Sequence, residues 1–108
     1  MRKPIKCAVL YPGAAVWHWT TIKDFTDLQG FVGGYLEAAP ICREATLYLN
    51  EEGKLHELPP TAKWMHEGRV HDVLVGPLVA VGPPNGSGDD TNLTPKMLEA
   101  LQVHLQIW

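Results

Sequence analysis

Residues 35–54 read YLEAAPICREATLYLNEEGK and contain the clearest strand pattern in the chain. Two apolar stretches, 35–42 and 45–49, flank a polar Arg-Glu pair and predict two strands joined by a tight turn. The polar run that follows ends the second strand in another turn, where Gly53 is able to take a positive φ. Strands joined this closely pair antiparallel, which favours an α+β domain over a parallel, doubly wound sheet.

The residues before this segment predict a hairpin and a short helix. Residues 5–11 form a nearly continuous apolar run and residues 16–22 are rich in aromatic and β-branched side chains, so we expect two paired strands. Asp24 is a candidate N-cap for the helix, and Gly33-Gly34 supply its left-handed stop. The apolar residues of this helix recur at helical spacing: Phe25, Leu28, Phe31 and Val32.

The residues after the segment contain weaker signals. Two prolines at 59–60 favour an extended loop, and residues 61–69 lack a clear period, so we interpret them as loop or one irregular turn. Residues 70–81 predict one long apolar strand that bends at Gly76-Pro77, because proline donates no hydrogen bond to a sheet.

The C-terminal part predicts a loop and a last helix. Residues 82–92 read GPPNGSGDDTN and are expected to form a mobile loop. Thr94 and Pro95 begin a helix on which we expect the chain to end, with an apolar face of Leu98, Leu101 and Leu105. The predicted order is β-β-α-β-β-β-α: one α+β domain over residues 1–108, with a mostly antiparallel sheet of about five strands.

Length, charge and cysteines limit the classes of protein. A chain of 108 residues builds one core, which excludes a two-domain enzyme, and nine basic against twelve acidic residues give a net charge of −3. No basic cluster follows residue 6, so duplex nucleic acid is not an expected partner. Cys7 and Cys42 are expected to be buried thiols. The apolar run 7–11 is too short for a signal peptide or membrane span, so we expect a cytoplasmic protein with no membrane partner.

Four motifs in order resemble a family of small phage and bacterial domains, the domain of unknown function 3846 family. They are FVGGYLE at 31–37, LYLNEEGK at 47–54, LPP at 58–60 and DVLVG at 72–76, and the resemblance covers about residues 5–82. Thr61 stands where the family pattern has an asparagine after the prolines. The resemblance implies no activity, only a phage or mobile-element setting, where many small proteins counter host defence.

Acidic and histidine residues are candidates for chemistry. Glu37, Glu51 and Glu52 are able to approach one another for acid–base work, but adjacent carboxylates on a polar turn are usually solvated and no nucleophile accompanies them. His66 and His71 are spaced wrongly for one face of a helix or strand, and no CxxC pair is present. We therefore expect no catalytic residues, no metal and no cofactor.

The tryptophans are candidates for ligand stacking. On a strand at 16–22, Trp17 and Trp19 share one face while His18 points to the other. Packed inward they are structural; on a concave surface they stack on a nucleobase, supported by Tyr11 or Tyr35. Trp64 and Trp108 are harder to bury locally, so either one completes a pocket or a subunit interface.

A phosphate would need basic side chains or a helix start. Gly33-Gly34 lie at the negative end of a helix dipole, and the loop 82–92 lacks a GK[ST] ending and contains Asp89-Asp90. The remaining candidates for holding a phosphate are the start of the last helix at Thr94, or three basic side chains: Arg43, Lys54 and Arg69.

The sequence favours a non-enzymatic binding protein that sequesters a nucleotide-derived small molecule, such as a host immune signal. The predicted ligand-binding residues are Trp17, Trp19, Tyr35, Arg43, Lys54, Trp64 and Arg69. One alternative is a protein-interaction module that inhibits or retunes a host defence protein, with exposed aromatics as anchors. Another is a small hydrolase or lyase using Glu37 with His18 or His71. Both binding functions are compatible with a homodimer.

Overall fold

Two antiparallel sheets and two helices make up the fold in the computed structural model, which describes residues 3–108. The predicted α+β class is confirmed. In chain order the described elements are β1 (Ile5–Leu10), β2 (His18–Ile22), α1 (Phe25–Val32), β3 (Leu36–Ala39), β4 (Thr46–Asn50), β5 (Pro60–His66), β6 (Arg69–Val75), β7 (Leu78–Val81), α2 (Pro95–Gln102) and β8 (Leu105–Ile107).

The larger sheet has five strands in the order β2-β1-β7-β4-β3. Both predicted strand pairings are confirmed, with Ile5 opposite Ile22 and Leu36 opposite Asn50. The tight turn expected at Arg43-Glu44 is wrong, because residues 40–45 form a longer connection between β3 and β4. All four residues of the central strand β7 are buried, because each face of the sheet is covered. Alternate residues of β1 and β7 pack on α1 on one face and against the second sheet and α2 on the other.

The helix ends follow the local signals in the sequence. The Asp24 side chain accepts a hydrogen bond from the Asp27 N–H at 3.1 Å, and Gly33 ends α1 with a φ of 79°. The Thr94 side chain accepts from the Met97 N–H at 3.2 Å, directly before Pro95. The predicted starts of both helices and the glycine stop of α1 are confirmed.

Residues 61–69 are not a loop, as expected from their weak period, but most of a hairpin formed by β5 and β6. Its two-residue connection, Glu67-Gly68, has φ values of 51° and 76°, the left-handed pair that a tight hairpin with correct twist requires. Two register shifts interrupt the pairing, because Thr61 is an extra residue in β5 and His71 is an extra residue in β6. This irregularity explains why the alternation is not visible in the sequence.

Residues 70–81 are not one bent strand. The change of direction occurs at Gly76-Pro77, as predicted, but it separates β6 in the second sheet from β7 in the first. Gly76 has a φ of 73° and donates its N–H to the Pro59 carbonyl at 2.8 Å. The glycine therefore moves the chain between sheets instead of bending one strand.

The expectation that residues 94–108 form only a helix is also wrong. Strand β8 follows α2 and pairs with β5, with Ile107 opposite Ala62, so the smaller sheet has the order β6-β5-β8. Leu105 lies in this strand and not on the helix face. A three-residue strand has too few positions to show a period, and its pairing partner β5 lies about 40 residues away.

The loop 82–92 is attached at both ends. Gly82 and Thr91 form an isolated bridge, and the Thr91 hydroxyl donates to the Pro83 carbonyl at 2.6 Å. The Tyr48 hydroxyl donates to Asp90 at 2.9 Å, and burial together with this bond raises the pKa of Tyr48 to about 12. The mobility expected of this loop stays a prediction.

Cys7 is the basis of a pH-dependent stability prediction. It is fully buried, as expected, whereas Cys42 is only half-buried. Burial, with a smaller contribution from the charge of Asp27, raises the pKa of Cys7 from 9.0 to about 11. The buried neutral thiol therefore stabilises the fold fully below pH 9, and this stabilisation is lost as the pH rises toward 11. We expect a loss of about 2 kcal/mol by pH 10.5.

Urea unfolding at pH 8 and pH 10.5 measures this loss. The Cys7→Val variant keeps an apolar side chain of similar size without an ionisable group, so it should lose about 2 kcal/mol less than the wild type over the same interval. Tyr48 ionises in both proteins and cancels from the comparison. Equal losses in the two proteins would contradict the prediction.

Candidate functional site

A cleft of about 160 Å³ lies between the two sheets. Its walls come from β3, β4 and the turn after β4 on one side, and from β5 and β6 on the other. We call it the inter-sheet cleft; its polar and aromatic lining residues are Glu37, Asn50, Glu51, Lys54, Trp64 and Asp72. Side chains from both sheets therefore meet at one place.

An ion pair crosses the cleft. The Lys54 ammonium contacts the Asp72 carboxylate, which also accepts the Val73 N–H at 2.8 Å. The hydrogen bond from Lys54 is the largest cause of a lowered pKa of Asp72. With Glu37 and Glu51 the lining has three carboxylates against one ammonium, a formal charge of 1 − 3 = −2. The cleft therefore favours N–H donors or cations over a phosphate.

Asn50 holds the acidic wall of the cleft in place. Its buried side chain donates to the Val32 carbonyl at 3.1 Å and accepts the Glu52 N–H at 2.8 Å. Any side chain at Gly34 would lie 2.8 Å from the Asn50 amide nitrogen, so this position needs a glycine. Asn50 thereby fixes the end of α1 to the turn that presents Glu51.

Asn50→Ala is expected to lower the free energy of unfolding by about 1–2 kcal/mol. The substitution leaves the Val32 carbonyl and the Glu52 N–H without their side-chain partner at a buried position. Asn50→Asp should cost more, because a carboxylate oxygen would face the Val32 carbonyl. Urea denaturation followed by circular dichroism measures both variants. Losses below about 0.5 kcal/mol, the range of ordinary surface substitutions, would contradict this role.

Gly53 allows the segments below the cleft to pack closely. Gly53 does not take the expected positive φ; in this turn the residue that does is Glu57, at 54°. A Cβ atom on Gly53 would lie 2.9 Å from Val75, so the glycine is needed for close approach. The Thr61 hydroxyl donates to the Gly76 carbonyl. The turn after β4 is thus packed directly against the end of β6.

Each charged residue that lines the cleft belongs to one of the motifs quoted in the sequence analysis. Glu37 ends FVGGYLE, Glu51 and Lys54 lie in LYLNEEGK, and Asp72 begins DVLVG. The three segments are separated in sequence by 9 and 17 residues, yet they build one cleft. These motifs therefore describe one three-dimensional feature.

The structure brings two of the seven predicted ligand-binding residues, Lys54 and Trp64, together in the cleft. Tyr35 is 66% exposed between α1 and β3, Arg43 lies in the bend between β3 and β4, and Arg69 begins β6 at the hairpin tip. These three residues are absent from the cleft lining.

Trp17 and Trp19 do not share a strand face, because β2 begins at His18. Trp17 packs toward the core, lines a separate cavity with Leu105, and has an indole N–H without a partner among the described residues. Trp19 is 45% exposed on β2. The inward-packed alternative thus fits Trp17. The predicted stacking of Trp17 and Trp19 together on one ligand has no geometric support.

Asp72 is the charged lining residue that sequence reasoning missed. Glu37 and Glu51 were recognisable as carboxylates able to approach each other, since β3 and β4 form a predicted hairpin. Asp72 reaches the same cleft only because β5 and β6 pair, which places it opposite Trp64. The sequence signal that would have located Asp72 in the cleft is Glu67-Gly68, which is able to form a two-residue hairpin turn.

The fold and site define a class: an α+β domain with a small acidic cleft between two antiparallel sheets. The chain belongs to the family described as Domain of unknown function (DUF3846), whose model matches residues 5–106. This confirms the resemblance and extends it through α2 into β8. No curated protein and no solved structure matches the chain.

Two features are absent from residues 3–108. No group of three or more His, Cys, Asp or Glu side chains in this part of the chain is arranged to hold a metal ion. Within the same residues, no helix is long and apolar enough to cross a membrane.

Proposed function

We propose that the chain is a binding protein whose inter-sheet cleft takes the planar base of a nucleotide-derived small molecule. The observation that supports this most is the convergence of Trp64 with the charged residues of three sequence motifs in one cleft. An aromatic ring beside hydrogen-bonding carboxylates is a suitable wall for a flat, polar ring.

The size of the cleft favours a single ring system. A cavity of about 150 Å³ in another protein binds benzene, whereas whole drug-sized molecules occupy about 300–1,000 Å³. The inter-sheet cleft, at about 160 Å³, is in the first range. A nucleobase would therefore be held in the cleft while the rest of the ligand lies outside it.

The charge of the cleft favours a base with N–H donors. Ionised carboxylates accept hydrogen bonds only, so Glu37 and Glu51 suit the amino and imino groups of a nucleobase. The positive charge of Lys54 is offset by Asp72, which weakens its attraction for a phosphate. Holding such a ligand without turnover would sequester it in the cytoplasm of a host cell, the role that a phage setting implies.

Thermal denaturation against bases, nucleosides, mononucleotides and cyclic nucleotides tests the proposal. A ligand at 100 times its Kd stabilises the protein by about 2.7 kcal/mol, a shift of several degrees for a domain of this size. We expect Trp64→Ala and Glu51→Gln to reduce the shift, each compared with its own ligand-free melting temperature. Trp19→Ala, at an exposed position on the far edge strand of the larger sheet, is the matched control and should keep the shift.

Mass spectrometry of the recovered ligand distinguishes binding from catalysis. An intact ligand supports sequestration, whereas an altered one would replace the proposal with the hydrolase or lyase function. No shift with any compound, in a folded sample, would contradict small-molecule binding.

A second candidate function, inhibition of a host protein, is favoured by exposed aromatic side chains. Phe25, Tyr35 and Trp108 are each more than half exposed. Such residues frequently anchor protein–protein interfaces. This function predicts a stoichiometric complex on size-exclusion chromatography that Trp108→Ala or Phe25→Ala weakens and Glu51→Gln does not. The homodimer allowed by the sequence stays a prediction, and analytical ultracentrifugation tests it.

A further inference from the structure

A second depression lies at the tip of the β5–β6 hairpin. It is open to solvent, has a volume of about 480 Å³, and is lined by His66, Glu67, Arg69, Val70 and His71. The formal charge of this lining is zero at neutral pH, because Arg69 offsets Glu67 and the two histidines are counted as neutral. The tip therefore differs in charge from the acidic inter-sheet cleft.

Trp64 connects the two depressions. In the register of the hairpin, Trp64 faces Asp72 and Met65 faces Val70, which leaves His71 without a partner in a bulge. The bulge places the His71 ring 4.4 Å from the Trp64 ring, edge on, and 6.2 Å from the His66 ring. Trp64 thus lines the cleft and contacts a residue that lines the tip.

Arg69 is the strongest anion donor near this surface. Its guanidinium makes no hydrogen bond or ion pair with any residue from 3 to 108, whereas Lys54 is held by Asp72. The carboxylate of Glu67 lies 3.8 Å from His66 and is 85% exposed, so solvent screens its charge. A guanidinium offers a planar pair of donors that matches a phosphate.

We infer that the hairpin tip binds the phosphate of the ligand whose base enters the inter-sheet cleft, with Arg69 as the main donor and Trp64 between the two groups. This inference rests on the proposed function and narrows the ligand to a nucleoside phosphate. The size of the cleft requires part of the ligand to lie outside, and the tip is the adjacent surface with free positive charge. Arg69, rather than Arg43 or Lys54, is therefore the basic side chain that we expect to bind the phosphate.

Isothermal titration with the four common ribonucleoside monophosphates, the four matching nucleosides and inorganic phosphate tests the inference. We expect at least one monophosphate to bind the wild type about tenfold or more tightly than its nucleoside, as a charge-assisted bidentate contact implies. Arg69→Gln should remove this difference and leave nucleoside affinity unchanged. Lys96→Gln makes the same change of charge on α2 and should alter neither affinity.

The outcomes separate the two proposals. Equal affinity for nucleotide and nucleoside, or an Arg69→Gln variant that binds both as the wild type does, would overturn the phosphate site and leave base binding in the cleft intact. Absence of binding for every nucleoside and nucleotide would overturn both. Binding of inorganic phosphate that Arg69→Gln abolishes, with no nucleoside bound, would keep an anion site and contradict its link to the cleft.

Discussion

Leu47→Ala is expected to lower the free energy of unfolding by about 3–5 kcal/mol, the upper range for removing a large buried side chain. Leu47 is fully buried on β4 and belongs to the core cluster that joins both sheets, together with Leu74 of β6 and Leu101 of α2. Residues of three packed elements are unable to move together to fill the space, so a cavity remains. Since the whole free energy of unfolding of such a domain is about 5–15 kcal/mol, this loss is a large part of it.

Leu55→Ala is the matched control, because it makes the same chemical change at a position that is 74% exposed in the turn after β4. We expect it to change stability by less than about 0.5 kcal/mol. Urea denaturation with circular dichroism detection compares the two variants. Similar losses for both, or a loss below about 1 kcal/mol for Leu47→Ala, would contradict a core shared by the two sheets.

Gly82→Ala is expected to lower the free energy of unfolding by about 3 kcal/mol, at the upper end of the cost of overpacking. A Cβ atom at this position would overlap the Asn92 carbonyl oxygen and the Thr91 hydroxyl. The Asn92 side chain accepts the Lys6 N–H at 2.8 Å, and the Leu93 N–H bonds the Lys6 carbonyl at 2.9 Å. Because the Asn92 carbonyl is part of the backbone, relief of this overlap would pull residues 91–93 away from β1.

Gly86→Ala, in the same loop, is the control. A Cβ atom at Gly86 would meet nothing within 4 Å, and its φ is not in the left-handed region. We expect a change within about 0.5 kcal/mol. Melting temperatures of the two variants, measured side by side, check the prediction. Equal stability of Gly82→Ala and Gly86→Ala would show that the bridge between Gly82 and Thr91 contributes nothing measurable.

The sequence predicts the first half of the fold better than the second, for physical reasons. The elements of the first half, from β1 to β4, are bounded by residues with strong local preferences. For example, Asp24 caps the start of α1 and Gly33 ends it. β5 is interrupted by a bulge, and β8 is three residues long and exists only as a partner of β5. Tertiary pairing, which no local pattern reports, determines these two strands.

The candidate site likewise combines residues whose proximity is visible in the sequence with residues that only tertiary pairing brings together. Glu37 and Glu51 approach each other through a hairpin that is visible in the sequence, so their proximity is predictable. Lys54 and Trp64 were proposed from residue type alone, and their position beside Asp72 depends on the missed β5–β6 hairpin. The predicted pairing of Trp17 with Trp19 fails because a strand assumed to begin at residue 16 begins at His18.

The indole N–H signal of Trp64 in a ¹H–¹⁵N correlation spectrum is the most direct test of ligand binding in the inter-sheet cleft. The chain has four tryptophans, so four indole signals report on four separate places in the fold. Titration with the nucleotides is predicted to shift the Trp64 signal and the amide signals of Glu51, Lys54 and Asp72, while the Trp19 and Trp108 signals stay in place. Shifts confined to Trp19 or Trp108, or an unchanged Trp64 signal with every nucleotide, would contradict the account.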